Sequence, residues 1–294
     1  HKRSYKGAMN KLPFSKRVQI LHMMVEGNSV RGIARLVDVS PVTVLRQLEL
    51  AGKACEEFHD ATVRNVKARR IETDEIWSFV FAKDRNASQE MKLAGTAGSV
   101  WTWTALDVDS KLIVSYYIGG REAHSACAFM RDVAGRLANR VQLTTDGHRP
   151  YLDAVDQAFG IDIDYGMLVK FYSETPDGTG SPERKYSPGV CTGTKKTHIM
   201  GSPDHTAIST SHVEKHNQSM RQHMKRFARL TAAHSKKLEN HAAMVALYAV
   251  WYNFARINSA VRVAPAMAAG LSERLWGMAD IVRLVEAYED KIKL

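Results

Sequence analysis

The sequence predicts an α/β protein with a small helical head, a sheet-containing core and a helical C-terminal segment. Three observations support this prediction. Residues 12–52 carry apolar side chains at helical spacing, residues 71–170 alternate between strand and helix patterns, and residues 211–259 return to helical spacing. With 294 residues, 45% hydrophobic and 24% charged, the chain has the composition of an ordinary globular protein.

The predicted head consists of three short helices. The apolar face of the first helix is formed by Phe14, Val18, Leu21 and Val25. Gly27 is expected to end this helix, Ser29 to cap the second, and Ser40, followed by proline, to cap the third. We expect Gly52 to end the third helix and residues 53–70 to form a polar, basic connector.

This head, assigned to residues 9–60, resembles a helix-turn-helix DNA-binding domain. The polar side chains that the third helix is expected to expose to base edges are Thr43, Arg46 and Gln47. A small helical interaction domain would give a similar pattern and is the alternative interpretation.

The middle of the chain has the order β-β-β-α-β-α-β. The predicted strands are 71–81, 100–108, 112–118, 141–145 and 163–170, and the predicted helices are 125–137 and 150–159. Three meandering strands followed by alternating helices and strands are the order of the RNase H-like fold. We therefore assign residues 61–235 to an RNase H-like domain and residues 236–294 to a C-terminal helical segment. Residues 172–210 are rich in Gly, Pro, Ser and Thr and are expected to form a long loop.

The net charge of +10 and the pI near 9.5 favour a polyanionic partner. The charge is unevenly distributed along the chain. Residues 1–73 carry 14 Lys/Arg against 7 Asp/Glu, residues 74–170 carry 10 against 13, and residues 171–294 carry 17 against 11. An acidic middle between two basic flanks is the pattern expected for DNA-binding segments around a carboxylate metal site.

Three carboxylates are the candidate catalytic and metal-binding residues. Asp74 lies in the first predicted strand, Asp146 ends the fourth, and Glu214 opens a predicted helix. The two strands are neighbours in an RNase H-like sheet, so the two aspartates should meet. Carboxylate oxygens suit Mg²⁺, and two such ions about 4 Å apart can promote phosphodiester chemistry. We therefore expect two Mg²⁺ ions, for which Mn²⁺ can substitute.

Each carboxylate also has a structural interpretation. Asp146 precedes a glycine, as in an ordinary turn. Ser211 and Glu214 have the spacing of a capping box, and Asp74 could pair with a nearby arginine.

Basic residues near Glu214 are the candidate DNA contacts. A helix continuing from Glu214 would place Asn217, Arg221 and Lys225 on one face, beside a scissile phosphate. The loop adds Arg184, Lys185, Lys195 and Lys196, and we expect it to become ordered along DNA. A solvated helix face and a surface insertion without function are the alternatives.

Cysteine usage and hydropathy narrow the class of protein. Cys55, Cys127 and Cys191 form no CxxC pair, which argues against a zinc ribbon or a disulfide framework and fits a reducing cytoplasm. No apolar run approaches ~20 residues, so no membrane partner is expected. Residues 1–8 are basic and patternless, and we interpret them as a leader or an appended segment before a native Met9.

Several stretches resemble DDE transposases of the insertion-sequence-one family, from bacteria and archaea. They are residues 72–80, 101–107, 145–147, 209–217, 226–231, 252–256 and 265–270, which read ETDEIWSFV, WTWTALD, TDG, STSHVEKHN, RFARLT, YNFAR and PAMAAG. The resemblance implies that Asp74, Asp146 and Glu214 are the catalytic triad and that Arg221 is a basic position following the glutamate. It implies hydrolysis at the ends of a mobile element, then attack of the freed 3′-hydroxyl on target DNA. The cysteine-rich zinc-binding head of some relatives has no counterpart here.

The partners expected from this interpretation are double-stranded DNA, both element ends and target, and further copies of the chain in a homodimer or larger assembly. The expected location is the prokaryotic cytoplasm, in association with the nucleoid. Two other functions remain open: a DNA-binding regulator that does not cut, and a structure-selective nuclease of the same fold.

Overall fold

The computed structural model describes residues 11–172, 191–227 and 232–293. Within these residues the protein is mixed α/β, as predicted, with one six-stranded sheet and ten α-helices. The helices are α1 (Phe14–Val25), α2 (Val30–Val37), α3 (Pro41–Thr62), α4 (Gln89–Leu93), α5 (Ala123–Arg136), α6 (Pro150–Phe159), α7 (Ser211–His223), α8 (Leu238–Val250), α9 (Pro265–Ala268) and α10 (Met278–Lys291). The strands are β1 (Arg70–Val80), β2 (Gly98–Asp107), β3 (Ile113–Gly119), β4 (Gln142–Asp146), β5 (Asp164–Tyr172) and β6 (Cys191–Met200).

The sheet has the strand order β3-β2-β1-β4-β5-β6. Strands β1, β2 and β3 form an antiparallel meander, whereas β4 runs parallel to β1 and β5 runs parallel to β4. All five predicted strands and both predicted helices between them are present. The predicted adjacency of the first and fourth strands is confirmed, since β1 and β4 pair from Arg70↔Gln142 to Glu72↔Thr144.

Helices cover both faces of the sheet. On one face, the buried ring of Trp103 lies 5.7 Å from Phe129 of α5 and 5.4 Å from Tyr151 of α6. Its neighbour Thr104 points to the opposite face, where its hydroxyl contacts the sulfur of Met220 in α7 at 3.9 Å. The sheet is therefore the middle layer between α5/α6 and α7/α8, and Trp103 is a core residue.

The prediction that Gly52 ends the third helix is wrong. Helix α3 continues to Thr62, so much of the predicted connector 53–70 is helical. A Cβ atom at Gly52 would lie 2.3 Å from the Cβ of Ala243. Gly52 therefore allows α3 to pack closely on α8, which is a different use of glycine from helix termination.

The predicted loop 172–210 contains a strand. Strand β6 pairs antiparallel with β5 at the edge of the sheet, from Tyr165↔Met200 to Tyr172↔Cys191. Its side chains are exposed or half-buried, so the sequence shows no apolar alternation to indicate a strand. Residues 173–190 lie outside the described residues.

The helical stretch predicted for residues 211–259 is interrupted. Helix α7 ends at His223, a short 3-10 turn follows at Lys225–Phe227, and α8 begins at Leu238. The backbone at Ser235 instead pairs with the end of β1, where the amide of Phe81 donates to the Ser235 carbonyl at 2.8 Å. A π-helical turn, Trp251–Ala255, continues α8.

The buried core runs without a break from Ile20 in α1 to Val285 in α10. The division into domains near residues 60 and 235 stays a prediction. Across the described ranges, no helix has both the length and the apolar character required to cross a bilayer.

We expect Gly52→Ala to destabilise the protein by about 1–3 kcal/mol, because the added methyl group overpacks the α3–α8 contact. Gly135→Ala is the matched control, since Gly135 also lies in a helix but its Cβ would approach nothing closer than Arg64 Nη1 at 3.9 Å. Urea unfolding of both variants measures the difference. Adding Ala243→Gly to the first variant should not restore stability, because the backbone Cα of residue 243 would still lie 2.4 Å from the added methyl group. An undiminished stability of Gly52→Ala would contradict the close packing.

Candidate metal centre

Three carboxylates predicted from the sequence line one cleft of about 740 Å³. Asp74 comes from β1, Asp146 is the last residue of β4, and Glu214 lies in the first turn of α7. The pairing of β1 with β4 ends two residues before both aspartates. The strands separate there, which opens the sheet edge at which the carboxylates meet. The basic residues lining the same cleft are Arg121, Arg149 and Lys170.

A tighter acidic cluster adds a residue that the sequence interpretation missed. Asp74, Glu75 and Asp146 each place one ligand atom within 4.8 Å of the others, so they could hold a divalent metal ion. Glu75 accepts a hydrogen bond from Arg121 Nε at 3.3 Å through Oε2, and the buried hydroxyl of Tyr151 lies beside the same carboxylate. Two adjacent acidic residues inside an apolar strand were the signal available in the sequence.

Glu214 lies at the side of the cleft formed by α7 and β5. Its Oε1 accepts a hydrogen bond from the Thr210 hydroxyl at 2.5 Å and forms an ion pair with Lys170 of β5. Lys170 therefore neutralises part of the acidic charge of the cleft. The predicted triad is brought to one opening, with Asp74 and Asp146 in the tighter cluster and Glu214 beside it.

The position of α7 depends on Glu72, a second residue that the sequence interpretation missed. Glu72 is only 3% exposed. Its Oε2 accepts hydrogen bonds from the backbone amides of His212 and Val213 at 2.8 and 3.0 Å. Glu72 thus satisfies donors at the N-terminus of the helix. Glu72 of β1, in place of a capping box between Ser211 and Glu214, therefore caps the helix.

Asn217 also ties α7 to β1. Its Nδ2 donates to Asp74 Oδ2 at 2.8 Å, and the residue is buried. Asn217 therefore lies on the face of α7 that packs on the sheet, next to Asp74, and its contact with a DNA phosphate stays a prediction. Its Oδ1 is buried without a hydrogen-bond partner among the described residues, so the amide has a free acceptor next to the acidic cluster.

The electrostatics of these carboxylates favour an additional cation. Burial, with the nearby charge of Asp146, raises the pKa of Asp74 to about 7. The same two causes, in the same order, raise the pKa of Glu75 to about 7. Burial also raises the pKa of Glu72 to about 7. A bound cation would stabilise the charged forms of Asp74 and Glu75, so these donors fit a divalent metal.

The residues predicted to bind DNA lie in different surroundings. Thr43 is half-buried with its hydroxyl against Ser40, and Arg46 is exposed on α3. The expectation that Gln47 is exposed is wrong. Gln47 is buried because its Oε1 accepts from Nε of the buried Arg17 at 2.9 Å, and Arg17 in turn pairs with Glu286 of α10.

The remaining predicted basic contacts are only partly positioned as expected. Lys225 is exposed but lies beyond the end of α7, so it does not continue the helical face that was predicted for it. Arg221 is half-buried on α7. On β6, Lys195 is exposed, whereas Lys196 donates to the carbonyls of His205 and Thr206, both at 3.0 Å. Arg184 and Lys185 lie outside the described residues.

Comparison with known proteins gives limited information. Neither a protein-family model nor a curated protein matches the chain. A solved structure that resembles it is the piggyBac transposase synaptic complex with hairpin DNA, at 9% sequence identity and a TM-score of 0.38, covering 95% of this chain and 72% of that one. A likeness at this level does not establish a shared function.

We expect Asp74→Asn to stabilise the metal-free protein, and increasingly so as the pH rises. An aspartate with a raised pKa contributes stability at low pH that is lost as the pH rises through the folded-state pKa of about 7. Asparagine carries no charge, and rotation of the Asn217 amide can present its free oxygen to the new NH₂ group. We expect little gain near pH 3, a gain that grows between about pH 4 and pH 7, and roughly 2 kcal/mol or more near pH 8.

Thermal unfolding in chelator, then in magnesium, measures this effect. Magnesium should stabilise the unmodified protein and not the variant, because metal binding to the native state raises its stability. Asp204→Asn is the control, since hydrogen bonds from Thr206 lower the pKa of that exposed carboxyl and its loss should bring no gain. A gain for Asp74→Asn that does not depend on pH would contradict the electrostatic explanation.

Proposed function

We propose that the protein is a DNA transposase that cuts DNA strands and joins the freed 3′ ends to target DNA, using Mg²⁺. The observation that carries this proposal is the convergence of Asp74, Asp146 and Glu214, from three separate elements, on one open cleft with basic residues in its wall. Clustered oxygen ligands suit a hard cation, and basic residues beside them suit the phosphates of the substrate.

The metal ligands in this proposal are Asp74, Asp146 and Glu214, with Glu75 as an additional candidate. Two bound ions, Mg²⁺ or Mn²⁺, would activate the attacking oxygen and stabilise the leaving oxygen of the phosphodiester. The ligand atoms of Asp74, Glu75 and Asp146, all within 4.8 Å of one another, and the raised pKa values of Asp74 and Glu75 support a cation at this position.

The chain's own cations would bind and orient the DNA backbone. Arg121 lies 3.3 Å from Glu75 and 3.8 Å from Asp146, so its guanidinium faces the cluster that would meet the scissile phosphate. Lys170, which also lines the cleft, pairs with Glu214. Both cations would be available to a phosphate that enters the cleft.

The proposal also includes the fold of the core, the family, the function of the head and the partners. The strand order 3-2-1-4-5, with an antiparallel meander and two parallel strands, supports an RNase H-like core. The sequence motifs support the insertion-sequence-one family, and three helices capped at Ser29 and Ser40 support a helix-turn-helix head that recognises element ends. The proposed partners are element-end and target duplexes and further copies of the chain, in a prokaryotic cytoplasm with the nucleoid.

We expect Asp74→Asn, Asp146→Asn and Glu214→Gln each to abolish strand nicking in magnesium while duplex binding is retained. The reason is that metal ligation needs the carboxylate charge, whereas most basic contacts lie outside the cluster. A nicking assay on labelled element-end duplexes measures cleavage, and anisotropy in chelator measures binding. Near-normal nicking by Glu214→Gln with none by Glu75→Gln would move the third ligand to Glu75.

The same assays separate the competing functions. Binding of end duplexes by the unmodified protein without nicking would favour a regulator. Nicking of branched duplexes without preference for element ends would favour a structure-selective nuclease.

We expect Glu72→Ala to reduce nicking about tenfold or more without changing duplex affinity, because the helix carrying Glu214 loses its anchor on β1. Stability should fall by about 1–2 kcal/mol, as for other lost N-terminal caps. Glu72→Gln keeps an acceptor for both amides and should recover most of the activity. Asp280→Ala, which removes an acceptor for the Gly277 amide at the start of α10, is the control for stability loss alone.

The magnesium concentration for half-maximal nicking distinguishes positioning from general destabilisation. It should rise in Glu72→Ala and stay unchanged in Asp280→Ala. Equal effects of the two variants on that concentration would show that Glu72 has only a structural role.

A further inference from the structure

A second cavity, of about 810 Å³, lies where the head meets the end of α7 and the start of α8. Its wall includes residues from the start of α2, the start of α3, the 3-10 turn after α7 and the segment before α8. Met24, Leu45 and Met244 form apolar parts of this wall. We call it the head cavity, and it shares no lining residue with the acidic cleft.

The charged residues of the head cavity are all cationic. They are Arg31, Lys225, Arg226 and Lys236, and no aspartate or glutamate appears in the part of the wall that the structure describes. A solvated basic surface normally includes acidic neighbours, as where Lys11 pairs with Glu286 and Glu289 of α10. The composition of the wall therefore favours an anionic ligand.

Arg226 gives the most direct indication that the head cavity suits an anion. Its Nη1 donates to the hydroxyl of the buried Ser235 at 2.7 Å, and burial lowers the pKa of the guanidinium to about 10. Among the residues described, no carboxylate lies within ion-pair distance of it. Burying a cation without a counter-ion is costly, so an anion bound in the cavity would stabilise this arrangement.

Two helix N-termini add to the positive potential. Ser29 caps α2 and Ser40 caps α3, and the first residues of both helices, Val30 and Pro41, belong to the cavity wall. The N-terminal end of a helix carries partial positive charge, which favours phosphate binding.

The head cavity stands at a fixed distance from the acidic cleft. Gly27, at φ +72°, lets the turn between α1 and α2 approach the Gln222 carbonyl so closely that a Cβ would lie 2.6 Å from its oxygen. His223 Nδ1 is hydrogen-bonded to the Val25 carbonyl at 2.8 Å. The C-terminal end of α7 is therefore docked on the head, while Glu214 in its first turn lines the cleft. At a rise of about 1.5 Å per residue along α7, the head cavity and the acidic cleft are roughly 15–20 Å apart.

We propose that the head cavity binds the sugar–phosphate backbone of duplex DNA, about five or six nucleotides from the bond held at the acidic cleft. The cationic rim suits the phosphates, the apolar wall suits the deoxyribose, and the spacing follows from about 3.4 Å per nucleotide along one strand. This inference rests on the proposed function, to which it adds a second and separate contact with the same substrate.

The test compares two triple variants with the same loss of charge. The cavity variant carries Arg31→Gln, Lys225→Gln and Lys236→Gln, all at exposed side chains. The control variant carries Lys53→Gln, Arg262→Gln and Lys293→Gln, which are exposed and outside both cavities. Circular dichroism and thermal unfolding establish that both variants are folded.

Binding of a labelled 20-base-pair duplex is measured in chelator, so that no cleavage occurs, over a range of salt concentrations. The cavity variant should lose about tenfold or more in affinity, and its salt dependence should fall by about two to three counterions, at roughly 0.9 for each lost phosphate contact. The salt dependence of the control variant should fall by less than about one counterion. Equal losses in the two variants would overturn the inference, as would equal competition by a single-stranded oligonucleotide.

A second measurement tests the distance. Neutral methylphosphonate linkages placed singly along a nicked-strand duplex should weaken binding to the unmodified protein about five or six nucleotides from the cut, and not to the cavity variant. If the protein binds in chelator as described but never nicks DNA in magnesium, the proposed function fails and the head cavity stands. If it nicks DNA and the two triple variants bind alike, the reverse holds.

Discussion

The bond between Glu72 and the first turn of α7 is the contact on which the geometry of both cavities depends. One carboxylate of β1 accepts two backbone amides of α7, at the end of the helix where its dipole favours negative charge. The next turn brings Asn217 onto Asp74. Because both bonds join the same strand and helix, the rotation and height of α7 over the sheet are fixed, and Glu214 is directed into the cleft.

This arrangement concentrates carboxylates in a way that opposes folding. Glu72, Asp74 and Glu75 lie within four residues of one strand, and burial raises the pKa of each. The protein offsets part of the cost with Arg121 on Glu75 and Lys170 on Glu214. Residues chosen for stability alone would not produce this, since burying several neighbouring carboxylates costs free energy. The cost is understandable where the cluster has to bind a cation.

The sequence predicted elements best where burial imposes a regular pattern. Strands β1 to β5 and helices α5 and α6 have one or two buried faces, so apolar spacing shows where they are. Strand β6 is held by backbone pairing at an exposed edge, and its side chains therefore leave no pattern. Gly52 was misinterpreted because a glycine required by a neighbouring helix looks the same in sequence as a glycine that ends one. Only the position of Ala243 distinguishes the two.

The candidate site, like the fold, could be predicted from the sequence in part. Asp74 and Asp146 could be found because strand order alone makes them neighbours, and Glu214 because it opens a helix next to a basic segment. Glu72 and Gln47 could not be assigned, since their roles depend on partners about 140 and 30 residues away, α7 and Arg17 respectively. Long-range pairing of polar groups follows from packing, which apolar periodicity does not encode.

The acidic and basic segments of the sequence lie at different sites in the folded protein. The acidic middle of the chain supplies the cleft, and the two basic flanks meet at the head cavity, where Arg31 comes from one flank and Lys225 and Lys236 from the other. An acidic cleft by itself repels a polyanion until cations neutralise it. The roughly 15–20 Å between the head cavity and the cleft is about two Debye lengths at physiological salt, so the positive potential of the cavity is largely screened at the cleft. The cavity therefore holds DNA by its own contacts. Because the length of α7 separates the two sites, the cations that pair with the carboxylates, Arg121 and Lys170, come from the cleft itself, and the lysines and arginines of the head cavity stay available to the DNA backbone.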